Sequence, residues 1–215
     1  MKWFNSHLLF NINQELMSVC STERDMFGQI ESFVIDQSDM NKNPQKQNIK
    51  INQYHEEKPQ SINDILPVEI HPNQDNFRIL KSAIEIAFPD FDFSYASPDH
   101  FVCINSPEEA RSSLSWALSS YFPSATDLCA QVWASLESEI QPALCDIYSY
   151  EPNCADAFSA MGAVWKMSYL FYNQKQRKVL HFHLREGGRA IESLSDDDEL
   201  DIGYEFDDEG SRNWF

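Results

Sequence analysis

The residues with the clearest chemical potential are two histidines, His181 and His183, spaced so that both project from one face of a β-strand. Paired imidazoles can ligate a metal, and Cys145 and Cys154 are the thiols nearest in sequence that could complete such a set. So short a pattern reads instead as an exposed polar strand face. Asp196-x-Asp198 resembles the opening of a calcium loop, but Leu200 and Gly203 occupy the wrong ligand and glycine positions. No GxGxxG, phosphate loop, GxSxG elbow or HExxH is present, and no motif pairs a cysteine with a histidine as nucleophile and base. The chemistry-bearing residues therefore point to binding, with no catalytic, cofactor or metal residue assigned. A metal hydrolase is the enzyme class that metal analysis would detect.

Binding requires a scaffold, and 215 residues suffice for one domain plus unstructured sequence. With 15 Phe, 8 Tyr and 5 Trp the chain can fill a core. Its formal charge of -18 opposes contact with nucleic-acid phosphates. Ten acids and no base fall within 190–211, leaving 24 acids against 16 bases elsewhere. Five cysteines without a CxxC pair suit reduced thiols in cytosol or nucleus. Met1 to Phe10 lacks a signal-peptide core and no apolar run approaches membrane-spanning length, so neither secretion nor a membrane is expected.

Helical spacing of Leu8, Leu9, Ile12 and Leu16 predicts a helix over 5–16, followed by a strand over 26–35 in which Gly28 marks a bulge or a close backbone contact. From about residue 37 to 73 the chain is rich in Asn, Gln, Lys and Pro, the composition of a flexible linker. Phe77, Leu80, Ile84 and Phe88 form the stripe of a helix ending at Pro89. Ser106-Pro107-Glu108-Glu109 is a capping box opening a second helix to Tyr121, and Leu128, Val132, Leu136 and Ile140 line a third that Pro142 stops. Strands are predicted at 144–150, 164–172 and 177–184, the last two forming a hairpin about the turn Asn173–Gln176. Trp165, Met167, Tyr169 and Phe171 share one face of that hairpin, as do Leu180, Phe182 and Leu184. The expectation is an α+β fold: an antiparallel sheet packed by about four helices. It forms a single discontinuous domain (1–36 and 74–189, interrupted by the 37–73 linker) with an acidic disordered tail over 190–215.

Cys145 to Glu151 (CDIYSYE) followed by Ser168 to Phe182 (SYLFYNQKQRKVLHF) resembles the central block of the Maf-one family of RNA polymerase III repressors. Phe27 to Phe33 (FGQIESF) is similar to that family's amino-terminal block, and Phe88 to Tyr95 (FPDFDFSY) to the segment after its linker. The low-complexity linker and the acidic block Asp196 to Asp208 also resemble the family's in position. The resemblance implies a non-enzymatic negative regulator of nucleus and cytoplasm that binds the polymerase III clamp region. There it would hinder recruitment of the enzyme by transcription factor IIIB, lowering transfer RNA synthesis. It also implies control by kinases and phosphatases acting on the linker. Ser38 and Ser61 are the only Ser or Thr between 36 and 73, and Lys42, Lys46, Lys50 and Lys58 are spread and not clustered as in a basic nuclear signal.

Two surfaces are candidates for docking. The hairpin gathers Lys175, Arg177 and Lys178 at its turn beside Tyr169, Phe171 and Tyr172, aromatic residues that serve equally as core or as interface anchors. The tail presents Asp196, Asp197, Asp198, Glu199, Asp201, Asp207 and Asp208, which could compete for basic surfaces or merely confer solubility. Trp3, Trp116, Trp133 and Trp165 are likewise open between core and interface. The alternative function is an acidic interaction module or a chaperone of histones and other basic proteins, which would bind by salt-sensitive attraction alone.

Overall fold

The computed structural model describes residues 1–4, 6–22, 25–36, 71–153, 155–160 and 162–187. Six strands form one sheet: β1 (Lys2–Phe4), β2 (Met26–Val34), β3 (Phe101–Ile104), β4 (Asp146–Tyr150), β5 (Ala163–Asn173) and β6 (Lys178–Gly187). Their order is β1-β2-β6-β5-β4-β3, and every neighbouring pair is antiparallel. The pairing of β2 with β6 joins an early strand to the last one: Met26 lies opposite Glu186 and Val34 opposite Lys178. One domain is thus closed by sequence from both sides of the 37–70 stretch, which lies outside the described residues.

Helices cover both faces of the sheet. On the first, α1 (His7–Thr22), α3 (Pro107–Tyr121) and α4 (Leu128–Glu139) pack over Met26, Ile30, Tyr169, Phe171, Leu180, Phe182 and Leu184. On the second, α2 (Gln74–Ala87), Phe88, Phe93 and the short α5 (Ala157–Ala160) pack over Phe33, Tyr148, Tyr150, Leu170, Tyr172 and Val179. This two-sided burial explains why β5 and β6 carry large side chains on both faces.

The predicted stripes lie where expected, with local differences. Leu9, Ile12 and Leu16 are buried, but Leu8 faces solvent and the helix extends past Leu16 because Cys20 continues the buried stripe. Leu128, Val132, Leu136 and Ile140 are all buried. At α3 the Ser106 hydroxyl accepts from the Glu109 amide at 3.1 Å, while the Glu109 carboxylate closes on the Asn105 amide and not on that of Ser106. Gly28 is a close contact, not a bulge: a Cβ there would meet Leu184 Cδ1 at 3.2 Å and Cys20 Sγ at 3.3 Å. Where β1 no longer covers β2, the Asn13 carboxamide substitutes for a strand, donating to the Ile30 carbonyl and accepting from its amide, both at 2.8 Å.

Candidate interaction surface

The turn between β5 and β6 is held from beneath. Asn173 is buried; its Nδ2 donates to the Ile140 carbonyl at 2.9 Å, and its Oδ1 accepts from the Gln176 amide at 3.1 Å. Arg177 adopts a left-handed backbone (φ 51°), and its carbonyl accepts from the Ile35 amide at 2.9 Å. These bonds fix the turn to α4's end and to the amino-terminal segment, so its exposed side chains project from a rigid base. Asn173→Ala is expected to lower stability by about 1–3 kcal/mol, because a buried carbonyl and a part-buried amide lose their partner. Urea denaturation measures the loss, and faster exchange of the Gln176 amide would place it at the turn.

The structure separates the residues that the sequence grouped here. Lys175 and Arg177 are exposed. Lys178 turns inward instead: its ammonium bonds Glu139 Oε1 at 2.6 Å and lies 4.4 Å from the Phe4 ring centroid, tying β6 to α4 and β1. Tyr169 (6% exposed), Phe171 (0%) and Tyr172 (3%) are core. Tyr169 and Phe171 pack under α3 and α4 on the first face and Tyr172 packs on the second, so none reaches a partner. Of these six hairpin residues only Lys175 and Arg177 are exposed. Ser38, Ser61, Cys154 and the acids from Asp196 to Asp208 lie outside the described residues. Of the tryptophans, Trp133 is buried, Trp165 stacks on Tyr121 at 4.5 Å, and Trp3 and Trp116 are exposed.

The histidine pair corrects a sequence expectation. His181 and His183 do not sit on an exposed polar face; both are enclosed by the second helical layer, with Phe88 centroids at 5.8 and 4.8 Å and Phe158 stacked on His183 at 4.6 Å. Burial pushes His181 down to about 3 and His183 well below 6.5, so both rings are neutral at physiological pH. Ser168 Oγ bonds His181 Nε2 at 2.7 Å, whereas neither ring nitrogen of His183 has a partner among the described residues. Cys145, once a conceivable co-ligand, packs with the opposite layer. Burial and then the adjacent Asp146 push its thiol up to about 12, which disfavours thiolate chemistry. Among the described residues no group of His, Cys, Asp and Glu could hold a metal ion, and no helix is long and apolar enough to cross a membrane.

Sequence reasoning did not find the role of Asn173, although Asn before a polar turn is a signal for side-chain bonding to the backbone. Nor did it find a cavity of about 420 Å³ between the segment after α2 and the segment after β4, since its walls are far apart in sequence.

Among curated relatives, the repressor of RNA polymerase III transcription of Dictyostelium discoideum is 28% identical over 155 residues, covering 67% of this chain and 56% of that protein. The repressor of RNA polymerase III transcription maf1 of Schizosaccharomyces pombe is 23% identical over 126 residues, covering 58% of this chain and 52% of that one. The chain thus spans about half the length of these relatives. A crystal structure of citrus MAF1 superposes with a TM-score of 0.56 at 20% identity, covering 85% of this chain and 99% of that one, a likeness of fold. The Maf1 regulator family model matches residues 11–183, from within α1 through most of β6 and so across nearly all of the described sheet: the chain belongs to the Maf1 regulator family.

Proposed function

We propose that this chain is a negative regulator of RNA polymerase III transcription, active in nucleus and cytoplasm. It binds the polymerase at its clamp region and hinders recruitment by transcription factor IIIB. The observation that carries this reading is the family match over residues 11–183, joined to relatives that bear the name of repressors of that polymerase. The fold supports a binding role, because its turn and cavity are surfaces and the buried His181 ring and Cys145 thiol are held neutral. Lys175 and Arg177 supply the docking contact: two cations on a braced turn, in an otherwise acidic chain, would meet an acidic patch on the polymerase. Phosphorylation at Ser38 and Ser61 and competition by the acidic tail are further parts of the proposal.

Purified polymerase III is expected to be retained by the wild-type chain, with polymerase II passing through. Reversing Lys175 and Arg177 to glutamate should weaken retention on the order of tenfold while leaving thermal unfolding unchanged. Undiminished retention by that folded variant would remove the hairpin as docking site. Equal retention of both polymerases by wild type would instead favour a general binder of basic proteins. In a transfer RNA transcription reaction, truncation after Ile191 is expected to reduce repression, and full repression by the shortened chain would show the tail dispensable.

A further inference from the structure

The cavity on the second face has an uncommon lining: aromatic rings and carboxylates side by side. Phe93 and Tyr150 are buried in its floor, Phe91 stands near-parallel to Phe93 (23°, centroids 6.4 Å apart), and Tyr95 is 85% exposed at its mouth. Asp90 and Asp92 lie on the exposed rim, and among the described residues neither is ion-paired. The Ser94 amide donates to Asp92 Oδ1 at 2.8 Å and holds that carboxyl below the usual carboxylate range, with Lys81 adding a smaller pull. Lys81 itself reaches the Ser94 carbonyl at 3.4 Å and Glu85 at 3.8 Å, on the α2 side.

One wall already holds a cation with this chemistry. The Lys166 ammonium bonds Asp156 and lies 5.3 Å from the Tyr150 ring and 5.4 Å from that of Phe158. Burial works to raise the Asp156 carboxyl, but Lys166 and Ser159 keep it below the usual range, so that pair is satisfied within the chain. Asp90 and Asp92 remain as exposed carboxylates of the lining.

We propose that this cavity receives an arginine side chain of a protein partner, its guanidinium stacked between the Phe91 and Tyr95 rings and forked onto Asp90 and Asp92. A planar, weakly hydrated guanidinium satisfies ring faces and carboxylates together, which a compact ammonium does less well. The open mouth admits a side chain with its flanking backbone.

The test is a nuclear magnetic resonance titration of the full isotope-labelled chain with the capped peptide Gly-Gly-Arg-Gly-Gly and its citrulline counterpart. The arginine peptide is expected to produce saturable shifts at the amides of Phe91, Phe93, Tyr95 and Asp156, with citrulline binding several-fold weaker. Asp90→Asn with Asp92→Asn keeps the acceptor for the Ser94 amide and should weaken binding by about tenfold. Tyr95→Ala, which removes an exposed ring and nothing of the core, should weaken it several-fold. Absence of saturable shifts at millimolar peptide, equal binding of citrulline, or undiminished binding by the doubly amidated variant would each overturn the assignment.

Discussion

Phe171→Ala is expected to destabilise the protein by about 3–5 kcal/mol, enough to consume a large share of a typical domain's stability. Phe171 is fully buried, lies between Ile147 of β4 and Leu180 of β6, and meets the Trp133 ring of α4 edge-on at 6.5 Å. Removing the ring leaves a void between a central strand and a helix that cannot close without moving both. The consequence for function differs from that of the turn bases. A chain carrying Phe171→Ala should lose polymerase binding in proportion to its unfolded fraction and regain it on cooling or in stabilising osmolyte. Lys175 and Arg177 reversal should lose binding with stability intact. Urea denaturation of both variants distinguishes the two; a Phe171→Ala midpoint within error of wild type would show that the ring is not core.

That contrast marks how far the hairpin was legible in the sequence. Alternation over Trp165 to Phe171 and Leu180 to Leu184 correctly placed two strands and the face they share, because a strand's period of two survives any packing partner. The alternation could not say whether the other face was wet. Leu-His-Phe-His-Leu reads as a half-buried strand only if histidine is counted as charged. An imidazole can be buried in its neutral form, and α2 with Phe88 and Phe158 covers that face. Strands β1 and β3, of three and four residues, carry too few positions to show a period at all. The turn was visible as a polar run, but its rigidity depends on Asn173 meeting Ile140, residues 33 positions apart. Lys178 was grouped with its neighbours by proximity in sequence, whereas Glu139 and Phe4, which decide where it points, come from two other elements.

The buried histidines make stability fall in mild acid. Both are pushed down from 6.5 by burial, His181 to about 3, so below 6.5 the unfolded chain takes up protons that the folded chain refuses. Each such group costs about 1.4 kcal/mol per pH unit once the medium is below its unfolded value. Glu31 acts in the opposite sense. It faces His181 across the β2–β6 pairing, and burial raises its carboxyl from 4.5 to about 7 despite a bond from Gln29. Folding therefore takes up a proton at Glu31 between those values, which offsets one histidine. The stability it confers is full below 4.5 and is lost as pH rises through 7. Wild-type stability should thus fall by about 1.4 kcal/mol per pH unit between about pH 6 and about pH 5. His183→Leu removes one proton sink and two ring nitrogens without partners among the described residues, packing an apolar group against Phe88 and Phe158. It should raise stability near neutral pH by about 1–3 kcal/mol and nearly flatten the acid slope. Glu31→Gln should do the reverse to the slope, roughly doubling it, while stabilising the protein above pH 7 by about 1–2 kcal/mol once solvent screening of this half-buried carboxyl is allowed for. Urea midpoints of the three proteins across that range measure both effects. A wild-type midpoint that rises on acidification, or an acid slope that His183→Leu leaves unchanged, would mean that these rings take up protons in the folded chain.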